Sequence, residues 1–389
     1  MLPWCVMQTS YVSQTSQYCL TSFRARRSHL IILISLTFLF LGGCAGTPKK
    51  EEVGPIFYPP LPNAPRIQYL KSFSTERDLG TSSDFTDFIL GKETGAEALI
   101  NKPYGVALAD GKIFVVDTRG PSYVIFDLRL KRVKTVYGSG AGRMKKPINI
   151  IIDKAGNRFV SDTDRGQVLE FDKNDSFVRA FGREGQFKPT DMAIIGDKIY
   201  VVDIAHHKIH VLSLLDGHTI NEIGKPGSKS GELFQPTNIA IGADGYLYIS
   251  DTGNFRIQKF NTEGNFAGSI GHVGTGLGQF ARPKGVSVDH DGRLYVVDAA
   301  FENVQIFNQS GKLLLYFSGP GPHPDNLNLP TDIEIDYANV ALFQQYADPN
   351  FKLEYVILVA NQFGQNKVNV YGFGKMQGMS YDTDMPGSK

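Results

Sequence analysis

One phrase recurs along most of this chain. It begins with proline, continues after two residues into alternating apolar positions, turns at Gly or Asp, and re-enters an apolar run that usually ends in Asp. The prolines are Pro103, Pro147, Pro189, Pro236, Pro283 and Pro330, spaced 44, 42, 47, 47 and 47 residues apart. The first five phrases end in Val116-Asp117, Ser161-Asp162, Val202-Asp203, Ser250-Asp251 and Val297-Asp298, and the sixth in Ala360-Asn361. A third alternating run follows each, as in Arg256-Ile-Gln-Lys-Phe260, and a fourth closes most units, as in Phe177-Val-Arg-Ala-Phe181. Self-similarity at a fixed period outranks any local propensity, because each repeat must bury its faces against its neighbours.

Four short strands in about 40–50 residues make one propeller blade. The expected fold is therefore all-β, a six-bladed β-propeller of four-stranded blades over residues 64–375, with a polar tail at 376–389. Unit six offers only three strands. The unassigned run Arg66-Ile-Gln-Tyr-Leu-Lys-Ser-Phe73 alternates well and is expected to supply the fourth, so that an N-terminal strand closes the last blade and removes an open edge. Residues 84–98, with Phe85, Phe88 and Ile89, are expected to form a short helix leading into blade one. The stretch from Pro236 to Phe260 resembles an NHL repeat, and the resemblance extends over 103–371 in six copies. NHL propellers commonly bind other macromolecules on their loop face, which is what the resemblance implies here.

The N-terminus carries an export pattern. Arg24, Arg26 and Arg27 precede the apolar run Leu30–Leu41, and Gly42-Gly43-Cys44 follows. A basic region, a short apolar core and small residues at a cleavage site describe a secretory signal. The apolar run is shorter than the roughly 20 residues that span a bilayer. Leu41-Gly42-Gly43-Cys44 resembles the lipobox of bacterial lipoproteins, which implies a signal peptide at 1–43 and lipidation of Cys44. Ala45 follows the cysteine rather than Asp, which in a Gram-negative host implies the outer membrane. Residues 44–63 then read as a Pro-rich linker; twenty extended residues reach up to about 60 Å.

Forty Lys and Arg against 39 Asp and Glu argue against nucleic-acid binding, which favours a basic excess. All three cysteines lie at or before Cys44, so the repeats hold no thiolate site. Equivalent positions in six blades make rings around the channel. The second residue after each proline gives Gly105, Asn149, Asp191, Asn238, Gly285 and Asp332. Asn149, Asp191, Asn238 and Asp332 are thus a candidate ion or ligand ring, with Ca²⁺ as the hard cation that oxygen donors suit. By resemblance, six-bladed lactonases and the NHL-type amidating lyase hold metals near this axis. The same four residues also suit strand-end capping.

The recurring Asp117, Asp162, Asp203, Asp251 and Asp298 read as turn caps, since catalysis needs one acid and not five. In His206-His-Lys-Ile-His210, the outer histidines would sit roughly 13 Å apart on an extended chain, too far to share a metal. Gly224–Gly231 and Gly271–Gly278 look like phosphate loops but lead into strands, so they read as interblade loops. Blade six carries an insertion near Tyr337–Lys352, between its first two strands and so opposite the ring; it suits either a functional loop or packing. Two functional classes follow. One is a membrane-anchored binding scaffold of the bacterial envelope with an envelope-protein partner. The alternative is a Ca²⁺-dependent hydrolase or lyase at the channel mouth.

Overall fold

The computed structural model describes residues 54–80 and 100–381. Cys44, the export segment and the helix expected at 84–98 lie outside these residues. Two strands open the described chain, Phe57–Tyr58 (β1) and Ile67–Phe73 (β2). Blade one comprises Pro103–Ala109, Lys112–Asp117, Ser122–Asp127 and Arg132–Val136 (β3–β6). Blade two comprises Pro147–Ile152, Arg158–Asp162, Gln167–Phe171 and Phe177–Phe181 (β7–β10), and blade three Pro189–Ile195, Lys198–Asp203, Lys208–Ser213 and Thr219–Ile223 (β11–β14). Blade four comprises Ile239–Ile241, Leu247–Asp251, Arg256–Phe260 and Phe266–Ile270 (β15–β18), and blade five Pro283–Val288, Leu294–Asp298, Asn303–Phe307 and Leu313–Phe317 (β19–β22). Blade six takes Pro330–Asp336, Phe351–Asn361 and Val368–Met376 (β23–β25) from the chain's end.

Each of the first five blades is an antiparallel meander in sequence order. The sixth runs β1-β2-β25-β24-β23, so the N-terminal strand does complete it. Ile67 pairs with Phe373 and Phe73 with Val368 across this seam. β1 adds a fifth, outer strand within the stretch read from sequence as linker: Phe57 pairs with Gln68 and Tyr58 with Ile67.

Why the inner strands read as continuous apolar runs follows from their surroundings. Successive side chains on a strand point to opposite faces, and here both faces meet another blade. Tyr200 and Val202 pack toward blade four with Leu247 and Ile249. Their neighbours Ile199 and Val201 pack toward blade two with Phe159 and Phe181. The same division recurs at every blade interface, giving six apolar clusters among the described residues. Each fully buried Val, Leu, Ile or Phe contributes about 1.5–3 kcal/mol. The outermost strand has one wet face and loses the pattern: in β14 only Ile223 is buried.

The blade-six insertion falls between β23 and β24 and contains one helical turn, Val340–Phe343 (α1). Phe343 and Phe351 are buried, and the Phe351 ring lies 5.6 Å from that of Phe57. Asn339 accepts the Gly111 N–H at 2.8 Å, and Gln68 accepts the Asp348 N–H at 3.0 Å. The insertion therefore buttresses the seam between blade six and blade one. It does not line the central cavity.

Candidate functional site

The ring positions come together. A register shift separates Pro147 from Asn149, Pro189 from Asp191 and Pro330 from Asp332 at the start of each inner strand. Such bulges re-aim a side chain. Asn149 Nδ2 donates to Asp191 Oδ1 at 2.7 Å, and Asn238 Nδ2 to Asp332 Oδ1 at 3.3 Å. Backbone amides complete the contacts: Met192 N and Ile239 N donate to Asp191, and Val106 N to Asp332. Four side chains from four blades thus tie blade two to blade three and blade four to blade six.

The glycines in the remaining two ring positions have a steric cause. A Cβ on Gly105 would lie 2.0 Å from Asn149 Oδ1 and 2.6 Å from its Cα; one on Gly285 would lie 2.6 Å from Asp332 Cα. Backbone atoms cannot yield as a flexible side chain can. Gly285→Ala is expected to cost about 1–3 kcal/mol through overpacking. Equal urea midpoints for the variant and the wild type would contradict this.

Burial raises the Asp332 carboxyl to about 7. Burial first, and then the Asp332 charge, push Asp191 well above the usual carboxylate range. Two carboxyl groups this close and this dry do not both ionise readily. Asn238 Oδ1 is buried in the same ring with no hydrogen-bond partner.

Two further groups flank the ring, and both escaped sequence reasoning. Lys284 is buried, with Nζ 3.3 Å from Tyr104 Oη. Burial and the neighbouring Arg282 lower its ammonium to about 8. Both residues stand one place after the blade proline, beside the glycine of the ring, so the repeat register itself was the available signal. Glu334 lines the channel together with Asp191 and Asp332, and burial lifts its carboxyl well above the usual range. A cavity of about 800 Å³ lies here, walled by inner strands such as Ile150–Ile152 and Met192–Ile194 and by Asp153–Ala155 in the loop joining the first two strands of blade two. It extends toward the end opposite the interblade loops.

The recurring aspartates cap turns. Asp117 accepts backbone N–H groups from Asn101, Lys102, Arg119 and Gly120, joining the incoming interblade segment to the turn that follows. Asp162 and Asp298 do the same in their blades. The 13 Å separation expected within the histidine cluster is corrected. Ligand atoms of Asp203, His206 and His210 all lie within 4.8 Å of one another. The chain is not extended there: His207 has φ 56°, which folds the turn back over Asp203.

Residues 187–272 match the model of a family described as a 6-bladed beta-propeller. Among solved structures, a gluconolactonase from Xanthomonas campestris aligns with a TM-score of 0.53 at 16% identity, covering 80% of this chain and 91% of that one. A Bacteroides thetaiotaomicron protein of unknown function aligns with a TM-score of 0.53 at 16% identity, covering 79% and 75%. A streptogramin B lyase aligns with a TM-score of 0.49 at 17% identity, covering 71% and 85%. At these identities the likeness to the first two concerns the fold.

Proposed function

We infer that this protein is a binding scaffold that holds another protein on its loop face. One observation carries the reading. In an antiparallel meander, the interblade loops and the loops joining second and third strands share one end. That end exposes Tyr137, Phe234, Val273, Leu277 and Phe363, with exposures of 43–63%. Large apolar side chains on loops held by a rigid frame are the usual anchors of protein recognition. The sequence supports a setting for this activity: attachment to a bacterial outer membrane through lipidated Cys44, with an envelope protein as partner.

Capture of partners by the full chain, followed by mass spectrometry, tests the reading. Val273→Asp with Leu277→Asp is expected to weaken capture at least about 30-fold, as loss of a central anchor does, and to leave the melting temperature unchanged. Undiminished capture by that variant would refute it. Cys44→Ser is expected to move the protein from the membrane fraction to the soluble fraction.

A second reading is favoured by the unpartnered Asn238 Oδ1. With Asp191 and Asp332 it offers oxygen donors of the type Ca²⁺ takes, although the ring alone supplies fewer than the usual six to eight and water would complete the shell. A bound ion would supply charge to polarise a substrate carbonyl, and Lys284 and Glu334 would be the neighbouring groups able to hold or release a proton. Ca²⁺-dependent stabilisation abolished by Asp332→Asn supports this reading; no Ca²⁺ effect on melting opposes it.

A further inference from the structure

Blade three departs from blade four at one turn. In blade four, Asp251 Oδ2 accepts from Asn254 Nδ2 at 2.8 Å and from Gln258 Nε2 at 2.9 Å. Both amides can only donate in these contacts. At the matching places blade three has His206 and His210. His206 Nδ1 lies 2.6 Å and His210 Nε2 3.0 Å from Asp203 Oδ2. Asp203 Oδ1 meanwhile accepts the backbone N–H groups of Lys188, Ala205 and His206, so the turn cap is complete without Oδ2.

His210 meets a carboxylate at both ring nitrogens, since Nδ1 lies 3.2 Å from Glu222 Oε1. A neutral imidazole carries one N–H. It can therefore donate to only one of the two carboxylates; with Nδ1–H turned to Glu222, which Lys208 also holds at 2.7 Å, the Nε2 lone pair is free to ligate a metal ion shared with Asp203. A carboxylate that orients the far nitrogen of a ligating histidine is the usual outer-shell arrangement of metal sites. The Phe187 ring, 5.2 Å from the imidazole, fixes the plane of His210.

We propose that Asp203 Oδ2, His206 Nδ1 and His210 Nε2 bind a divalent first-row transition metal, Zn²⁺ being the natural choice for two imidazoles and one carboxylate. Ligand atoms around a tetrahedral Zn²⁺ lie about 3.3 Å apart. To reach that spacing the Asp203–His206 contact opens from 2.6 Å and the Asp203–His210 contact from 3.0 Å; the larger movement falls to His206, whose side chain is 55% exposed, and the smaller to buried Asp203 and His210. Three protein ligands leave a fourth position open on the loop face. Asp203 and His210 are the buried ligands and His206 the exposed one.

The test is Zn²⁺ binding to the untagged full chain by equilibrium dialysis, with Co²⁺ absorption spectra as a second probe. One ion per chain and tetrahedral-type visible bands are expected. His206→Asn and His210→Gln install the residues blade four already carries, so the metal-free fold should be retained. Each is expected to weaken binding more than the about 10–100-fold that loss of an outer-shell partner costs, and Glu222→Gln to fall within that range. Absence of a stoichiometric ion, or equal affinity in His210→Gln, overturns the proposal. If His210→Gln fails to fold, the Co²⁺ spectrum of His206→Asn decides: unchanged bands overturn the assignment and lost bands support it.

Discussion

Replacing Ile67 and Phe73 together with alanine is expected to leave the ring open. Both side chains are fully buried in the strand that closes blade six, but in different places: Ile67 packs with blade five, and Phe73 with blade one. A buried Ile→Ala costs about 2–5 kcal/mol and a buried Phe→Ala about 3–5. With no shared partners the losses add. About 5–10 kcal/mol consumes most of the 5–15 kcal/mol that holds a domain together. The double variant should elute as aggregate with an exposed β25 edge, and each single variant should melt well below the wild type. A double variant that stays monomeric and melts with the wild type would show that the seam contributes little.

The second large effect concerns pH. In the unfolded chain Asp332 ionises near 3.9; in the ring burial lifts it to about 7. Between those values the folded protein keeps a proton that the unfolded chain has released. Stability from this group therefore falls as pH rises through that window, and the loss is complete above 7. Three units correspond to a magnitude on the order of 4 kcal/mol. Asp191 and Glu334 act in the same direction. Asp332→Asn stays neutral, and Asn238 can turn its unpartnered Oδ1 toward the new amide. Urea unfolding at pH 5 and pH 8 should show the wild type losing stability and the variant losing clearly less. Identical slopes for the two proteins would remove Asp332 as the cause.

The blade count and the closing strand are legible in the sequence because both rest on periodicity, and Pro103 to Pro330 carry that directly. The ring positions are legible as register, two residues after each proline. Their pairing into Asn149–Asp191 and Asn238–Asp332 is not, because it depends on how closely the strands converge, and only the clash at Gly105 and Gly285 reveals that distance. Lys284 escapes because a lysine beside a glycine looks like a loop residue until its burial is known. The histidine turn escapes because an extended geometry was assumed where His207 takes a left-handed one. β1 escapes because two residues between prolines carry no period.

Closure of blade six also governs how the molecule must come into being. Gln68 pairs with Gly372, roughly 300 residues further along, and contacts of such separation form late and slowly. During synthesis from the N-terminus, β2 exists long before its partner β25. Blades one to five can fold in order as each meander is completed, while β2, paired at most with β1, waits with its other edge open and Ile67, Leu70 and Phe73 uncovered. Until β25 arrives, the growing chain presents two sticky ends, one on β2 and one on the most recent blade. Folding of this protein is therefore a race between ring closure and intermolecular pairing, and its yield should depend on whatever shelters the first strand until the last is made.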